Sequence, residues 1–256
     1  MRPRLAPALL LATAVAVPAA PPPEATGRLR GEVRTPALKP VAGAMAVAAR
    51  GEAPPVVALT ATDSQGFLAV DGVPAGTWTV RVTAPGFLPA EVGHLTIGGP
   101  YRSVADVTLK PGDGEPVALR LPETSGQAAV VVRATDDHGK PLSGVRLRLE
   151  PPHHRADPLI AETDSTGQAR VETGAGGNWR IALSRAGWTH LIVPRVEWPG
   201  GELTILARLL PLPEGTPAPL DELLPVFPQL IVQPPPDSLR RLVVSLRHSL
   251  RPERLW

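Results

Sequence analysis

The sequence predicts an all-β protein: two tandem β-sandwiches of about seven strands each, then a Pro-rich C-terminal tail and a short terminal helix. Three observations predict this fold class: a motif that recurs after 101 residues, apolar residues that alternate with polar ones, and frequent turn signals. The 33 Pro and 24 Gly among 256 residues favour short strands joined by turns over long helices.

The internal repeat is the clearest of these signals. Gly76-Thr77-Trp78 recurs as Gly177-Asn178-Trp179, and the same offset of 101 residues needs no insertion between residues 39 and 87. Further matches at this offset are Lys39-Pro40 with Lys140-Pro141, Gly43 with Gly144, residues 62–66 with 163–167, and Gly86-Phe87 with Gly187-Trp188. A period of domain size is longer than that of solenoid repeats, so each copy is expected to build its own core.

Within each copy, alternating apolar residues indicate half-buried strands. Ala44, Ala46 and Ala48 alternate in the first copy, as do Val145, Leu147 and Leu149 in the second. The segments TDSQG and TDSTG combine turn-forming Asp with Gly, and we interpret them as hairpin turns. The final strands are expected at residues 103–109 and 202–209, with a further strand of the first copy at 116–121.

A family resemblance follows from the motifs of the first copy. Pro40, Gly43-Ala44, Thr62-Asp63, Gly66-Phe67 and the run GVPAGTWTVRVTAPGF, residues 72–87, resemble the carboxypeptidase regulatory-like domain. The resemblance implies a transthyretin-like, immunoglobulin-like β-sandwich and an accessory module of bacterial proteins, but no particular activity. The second copy is more diverged, because Gln168 replaces the Phe and GAGG replaces the Val-Pro-Ala-Gly loop.

The N-terminus indicates export. Arg2 and Arg4 precede an apolar run from Leu5 to Val17 that is too short to span a bilayer. Small residues at 17–19 complete a secretory signal peptide, which we expect to be cleaved after residue 19, the alternative being an uncleaved anchor. We therefore expect a periplasmic, cell-surface or extracellular bacterial protein. The remaining chain has 24 basic and 24 acidic residues, which argues against nucleic-acid binding.

The aromatic residues divide into core and candidate surface positions. Trp78 and Trp179 are in phase with branched apolar residues on their strands, which predicts core packing over ligand stacking. Four aromatics are less constrained and form a candidate ligand or partner surface: Phe87, Tyr101, Trp188 and Trp198. If exposed, they could stack on sugar rings, so a carbohydrate-binding module is the alternative function.

No catalytic, cofactor or metal site is predicted. Without cysteine, thiolate metal sites, cysteine nucleophiles and disulfides are excluded, and no hydrolase, zinc-protease or nucleotide-binding motif is present. His153 and His154 are adjacent on an extended segment and would point in opposite directions, which favours a solvated loop over a metal site.

The C-terminal tail differs from the repeats. Residues 211–236 form a Pro-rich connector, and residues 237–256 show helical apolar spacing with Arg240, Arg241, Arg247 and Arg251 among the basic residues. Such a helix could contact an anionic membrane or a partner, or could pack on its own sandwich.

These segments complete the expected division of the chain. It comprises a signal peptide (1–19), a Pro-rich leader (20–26), two sandwich domains (27–112 and 127–210) joined by a linker (113–126), a connector (211–236) and a helix (237–256). The expected function is an exported, non-enzymatic scaffold that binds an unknown protein or cell-envelope component.

Overall fold

The computed structural model describes residues 26–98, 103–114, 118–151 and 157–213, and this part of the chain is all-β, as the sequence predicts. The strands of the first half are β1 (Thr26–Arg34), β2 (Met45–Arg50), β3 (Val56–Ala61), β4 (Phe67–Pro74), β5 (Gly76–Thr83), β6 (Ala90–Ile97), β7 (Ser103–Val104) and β8 (Val107–Thr108). They are followed by β9 (Leu119–Arg120), β10 (Ala129–Thr135), β11 (Arg146–Glu150), β12 (Leu159–Glu162), β13 (Gln168–Glu172), β14 (Gly177–Ser184), β15 (Leu191–Trp198) and β16 (Glu202–Arg208).

The strands form three sheets. The first sheet has the order β4-β1-β7, with β8 also paired to β1. The central sheet has seven strands in the order β13-β10-β16-β3-β2-β5-β6, and the third sheet has the order β12-β11-β14-β15-β9. The central sheet therefore contains strands from both halves of the chain, an arrangement that two separate tandem sandwiches would not show.

The two halves join where β3 pairs in parallel with β16. The register runs from Thr204 opposite Val56 to Arg208 opposite Thr60. Successive side chains of a strand point to opposite faces, so β16 contributes to two cores. Ile205 and Ala207 pack into the core beneath the third sheet, whereas Leu206 packs into the core beneath the first sheet.

This junction explains why all six residues of β3 are buried. Val56 and Ala58 belong to the core of the first half, and Val57 and Leu59 belong to the core of the second half. A strand covered on both faces does not alternate, and five of the six residues of β3 are apolar, with the buried Thr60 as the exception. Each half therefore has a core of its own, as the repeat predicts, but the two cores meet in the central sheet, where β3 and β16 contribute side chains to both.

The repeat is visible in the strands themselves. β5 and β14 have the same bounds at the offset of 101 residues, and so do β6 and β15. The last strand is broken in the first half, where β7 and β8 replace the continuous β16. The expected strand at residues 116–121 contributes β9, but β9 pairs with β15 of the second half, not with the first copy.

The segments TDSQG and TDSTG are not hairpin turns. Each connects strands of different sheets, because β3 pairs with β2 whereas β4 pairs with β1. Buried threonines hold both connections: the Thr62 hydroxyl donates to Val41 O at 2.6 Å and accepts from Ala44 N at 2.9 Å. Thr163 repeats this arrangement in the second half. The threonine hydroxyls thus pair buried backbone N–H and C=O groups that the hydrogen bonds of a hairpin would otherwise have paired.

The strand directions separate the two chain ends. β1 starts at Thr26, which lies opposite Pro74, and ends beside the residue 62–67 turn, where Val33 N donates to Gly66 O at 2.8 Å. β16 runs parallel to β3 and ends on the same side as that turn. The described chain therefore begins at one end of the sheets, here called the leader end, and stops at the opposite one, here called the turn end.

Candidate interaction surfaces

The repeated tryptophans are part of the packing, as predicted. Trp78, Val80 and Val82 of β5 are completely buried, and the Trp78 indole N–H donates to Pro74 O at 3.1 Å. Trp179 occupies the same place in β14 and is half-buried against the core of the second half. The Trp78 ring is therefore closed to a ligand, and the Trp179 ring packs against a core.

Trp198 is not a surface residue, so this part of the candidate ligand surface is wrong. Its side chain is 1% exposed and belongs to the core of the second half. Ile97, which precedes it by 101 residues, is equally buried in the first half. The prediction missed this because Trp198 follows Pro194 and Arg195, which are exposed and interrupt the alternation of β15.

Phe87 and Trp188 close the turns that follow β5 and β14. Phe87 forms an isolated bridge with Pro111, and Trp188 forms the corresponding bridge with Pro211. Both rings are half-buried against the cores, and the Arg185 guanidinium lies 5.5 Å from the centre of the Trp188 ring. Each aromatic therefore packs on its own chain, with its exposed part on the turn end.

The other predicted positions lie outside the described residues. These are Tyr101, His153, His154 and the tail arginines Arg240, Arg241, Arg247 and Arg251. The signal peptide, most of the Pro-rich connector and the terminal helix fall there too. Within the described ranges, no helix is long and apolar enough to cross a membrane.

The two halves carry opposite chemistry on equivalent sheet faces. In β2, Met45, Val47 and Ala49 face the second half and pack against its core. At the same positions of β11 stand Arg146, Arg148 and Glu150. The face of the third sheet is thus charged where its counterpart in the first half is apolar. Sequence reasoning missed this signal, which a comparison of MAVAA with RLRLE at the repeat offset would have shown.

Ion pairs organise the charged face of the third sheet. Glu150 lies between two arginines, with 2.8 Å to Arg148 Nε and 2.9 Å to Arg180 Nη1. Glu197 is shared in the same way by Arg120 and Arg195, at 2.8 and 3.0 Å. Arg180 and Arg120 reach these carboxylates from a neighbouring strand, whereas Arg148 and Arg195 reach them along the same strand, and such pairs are typical of a solvated sheet face.

Arg208 links the two halves next to the junction. Its guanidinium donates from Nη2 to Asp137 O at 2.8 Å and from Nη1 to Ala69 O of β4 at 3.3 Å. Burial, and secondarily the charge of Arg30, lowers the pKa of Arg208, while nearby carboxylates act in the opposite direction. The cation remains charged at any physiological pH and ties β4 to the turn after β10.

The turn end carries most of the exposed large apolar side chains of the described residues. Leu38 is 71% exposed, Phe67 46% and Leu88 42%. Leu38 has a left-handed backbone with φ of 60°, where Gly139 of the second half has φ of 78°. A leucine in this conformation is strained, and the strain is not offset by burial of its side chain.

One lysine lies next to each of the leucines Leu38 and Leu88. Lys39 follows Leu38 in the same turn, and Leu88 N donates to Lys110 O at 2.9 Å. The Leu88 side chain rests on Gly112, where a Cβ would lie 2.9 Å from its Cγ. Leu109 N donates to Arg34 O, so the two turns are adjacent.

A small crease lies between the two halves. A crease of about 30 Å³ between the halves is lined by Met45, Val47, Arg81, Thr83, Leu119, Val193 and Pro194. Ligand pockets are roughly tenfold larger. No group of three or more carboxylate or histidine side chains within the described ranges could hold a metal ion.

Comparison with protein families gives one match, in the first half of the chain. The family model of the carboxypeptidase regulatory-like domain matches residues 28–118, close to the first domain expected from the motifs. The second half, from β10 to β16, lies outside this match. A comparison with the curated proteins finds none that matches this chain.

Solved structures similar to this chain include three bacterial proteins. The TIE protein of Bacillus anthracis is 11% identical with a TM-score of 0.29, and the match covers 73% of this chain and 34% of that one. A Streptococcal ancillary pilin is 14% identical with a TM-score of 0.28, covering 74% and 63%. GBS52, the minor pilin of Streptococcus agalactiae, is 13% identical with a TM-score of 0.28, covering 75% and 99%. The chain thus spans about a third of the first and under two thirds of the second.

Proposed function

We propose that this chain is an exported, non-enzymatic scaffold in the periplasm or at the cell surface, and that its second half is a further carboxypeptidase regulatory-like domain. The observation that carries the proposal is the parallel β3–β16 junction, which makes one body of two sandwiches. A flexible pair of domains would suit independent ligand binding, whereas a continuous sheet holds its two ends at a fixed separation.

The chain ends support the same function. Residues 1–25 attach at the leader end, and residues 214–256 attach at the turn end. The nine residues of β1 separate the two ends by about 30 Å at roughly 3.3 Å per residue. A body whose chain enters at one end and leaves at the other holds the start of the Pro-rich segment about 30 Å from the start of β1.

Rigidity is the property to test first. The chain has no cysteine, so pairs of spin labels can be placed through Ser64→Cys and Ser165→Cys, which lie in equivalent exposed turns of the two halves. We expect one narrow distance distribution by pulsed electron paramagnetic resonance. A broad or two-peaked distribution would contradict a single scaffold body. The control is a pair within one half, such as Ser64→Cys with Ala37→Cys.

Export is tested separately. Alkaline phosphatase, which is active only after export in a Gram-negative host, is fused after residue 256 of the full chain. We expect activity that is lost when residues 1–19 are deleted. Activity that persists without these residues, or a full chain that gives none, would refute the exported part of the proposal.

A further inference from the structure

We infer that the strand array of this chain carries an end cap at each of two free edges, and that these caps stop the β3–β16 junction from repeating between copies. The free edges are those of β7–β8 in the first half and of β12 in the second half, since neither pairs with a further strand among the described residues. The inference rests on the junction that also carries the proposed function, and it adds a statement about assembly.

The two halves follow one pairing scheme, and this scheme defines the free edges. The order β13-β10-β16 repeats β4-β1-β7, and the order β12-β11-β14-β15 repeats β3-β2-β5-β6. The junction places β16 beside β3. β12 therefore has an open edge where β3 has the junction, and β7–β8 has one where β16 has it. If the junction repeated between copies, β7–β8 of each copy would pair with β12 of the next, and such a head-to-tail contact produces open filaments.

The edge of β12 lacks a backbone group that the junction uses. The sequence VVALTA of β3 corresponds to DPLIAE at residues 157–162. Thr204 N donates to Pro55 O at 3.2 Å, so Val57 is the next residue of β3 whose backbone faces β16. Pro158 stands at the place of Val57 and has no N–H to donate to an added strand. Proline on an edge strand opposes the addition of a further strand.

The charged face beside β12 opposes a docked copy as well. Where β2 packs three apolar side chains against the second half, β11 has Arg146, Arg148 and Glu150. Glu162 of β12 lies opposite Arg146 in the strand register, and it is exposed. A copy docked here would remove these charges from water, and the loss of hydration exceeds what ion pairing returns in an apolar contact.

The edge of β7–β8 carries the second cap. Leu109 and Leu209 make the same backbone hydrogen bond to the ends of β1 and β10, so Asp106 stands at the place of Leu206. Glu32 N donates to the Asp106 carboxylate at 3.1 Å, where the last strand of the first half is broken. In a repeated junction this carboxylate would enter an apolar core, as Leu206 does in the observed junction, and would lack a partner there.

The two edges thus resemble the terminal units of a repeat protein, whose polar outer faces keep the array soluble. The junction itself has the composition of a core, since β3 is buried on both faces. The caps confine this contact to the one place where the two halves of a chain meet.

The test exchanges each cap for the residues of the junction, in the full chain. The β12 variant takes the residues that β3 and β2 have at the same places, and the β8 variant takes the leucine of β16 through Asp106→Leu. The substitutions of the β12 variant are Pro158→Val, Glu162→Ala, Arg146→Met, Arg148→Val and Glu150→Ala.

Sedimentation velocity measures the association of these variants. We expect an equal mixture of the two variants to form a heterodimer with twice the mass of either chain, because each variant keeps one cap. A chain with all the substitutions should form oligomers that grow with concentration. The matched control is the β12 variant mixed with the original chain, which retains Asp106 and should not associate. A mixture of the two variants that stays monomeric, or equal association in the control, would overturn the inference.

The fold of each variant is checked by circular dichroism. If the β12 variant does not fold, Pro158→Val with Glu162→Ala takes its place, because it leaves the ion pair between Arg148 and Glu150 intact. The heterodimer is then expected to be weaker, and its absence would again overturn the inference. The spin-label distance measures the junction within one chain, so a narrow distribution without a heterodimer would refute the caps alone.

Discussion

A single buried charge at the junction should separate the two halves of the molecule. Leu206 is buried in β16 and packs into the core of the first half. At the equivalent position after β7, the first half has Asp106, which is exposed and accepts a hydrogen bond from Glu32 N at 3.1 Å. We therefore consider Leu206→Asp, which places an aspartate, the residue found at position 106, at the buried position 206.

The expected cost combines two effects. Removal of a buried leucine costs about 2–5 kcal/mol, and a carboxylate without a buried partner adds further destabilisation. We expect a loss of about 4–6 kcal/mol, which corresponds to a decrease in Tm of about 10–20 °C for a chain of this size. Because the lost contacts join the halves, we expect one calorimetric transition for the original protein and two for Leu206→Asp.

Scanning calorimetry and urea unfolding measure both effects. Asp106→Leu is the matched control: its exposed side chain should change stability by less than about 1.5 kcal/mol, the contribution of one hydrogen bond. Leu206→Ala separates loss of packing from the added charge. If Leu206→Asp still unfolds in one transition within a few degrees of the original Tm, the junction does not couple the halves and our interpretation of β3–β16 is wrong.

Other expectations concern the anchors, the turns and the core. Thr62→Val should lower the free energy of unfolding in urea by about 2–4 kcal/mol, because it leaves one buried backbone N–H and one buried C=O unpaired. Thr163→Val should have the same effect, and no change in either variant would contradict the anchoring role. Hydrogen bonds from the Thr166 hydroxyl and from Gln168 N and Thr166 N lower the pKa of Asp164, so its contribution to stability is complete above the ordinary Asp pKa and is lost as pH falls through the lowered one. In Tm measurements from pH 5 to pH 2, Asp164→Asn should therefore show less loss than the original chain, and parallel curves would refute this. Trp198→Ala should lower the free energy of unfolding in urea by about 3–5 kcal/mol. Trp198→Phe should lower it less, because the buried indole N–H has no hydrogen-bond partner within the described ranges. Equal losses in the two variants would contradict this.

Several features could be predicted because they depend on neighbours in sequence. Trp78, Val80 and Val82 are buried as their alternation indicates, and the repeat fixes matching bounds for β5 and β14. The role of Asp63 in its turn could also be predicted, since its carboxylate accepts hydrogen bonds from two backbone N–H groups of that turn. The burial of Trp198 could not be predicted from alternation, because the pairing between β14 and β15 is irregular.

The sequence by itself determined the strands, the turns and the repeat, because period-two alternation and the preferences of Asp and Gly act over a few residues. Only the tertiary structure decided that β3 and β16 pair, that Leu206 is buried whereas Asp106 is exposed, and that Arg208 reaches Ala69. These contacts join residues far apart in sequence, and their free energy depends on which faces of the two halves meet. The pattern within either copy does not contain that information, although the apolar β3 and the charged β11 record its outcome.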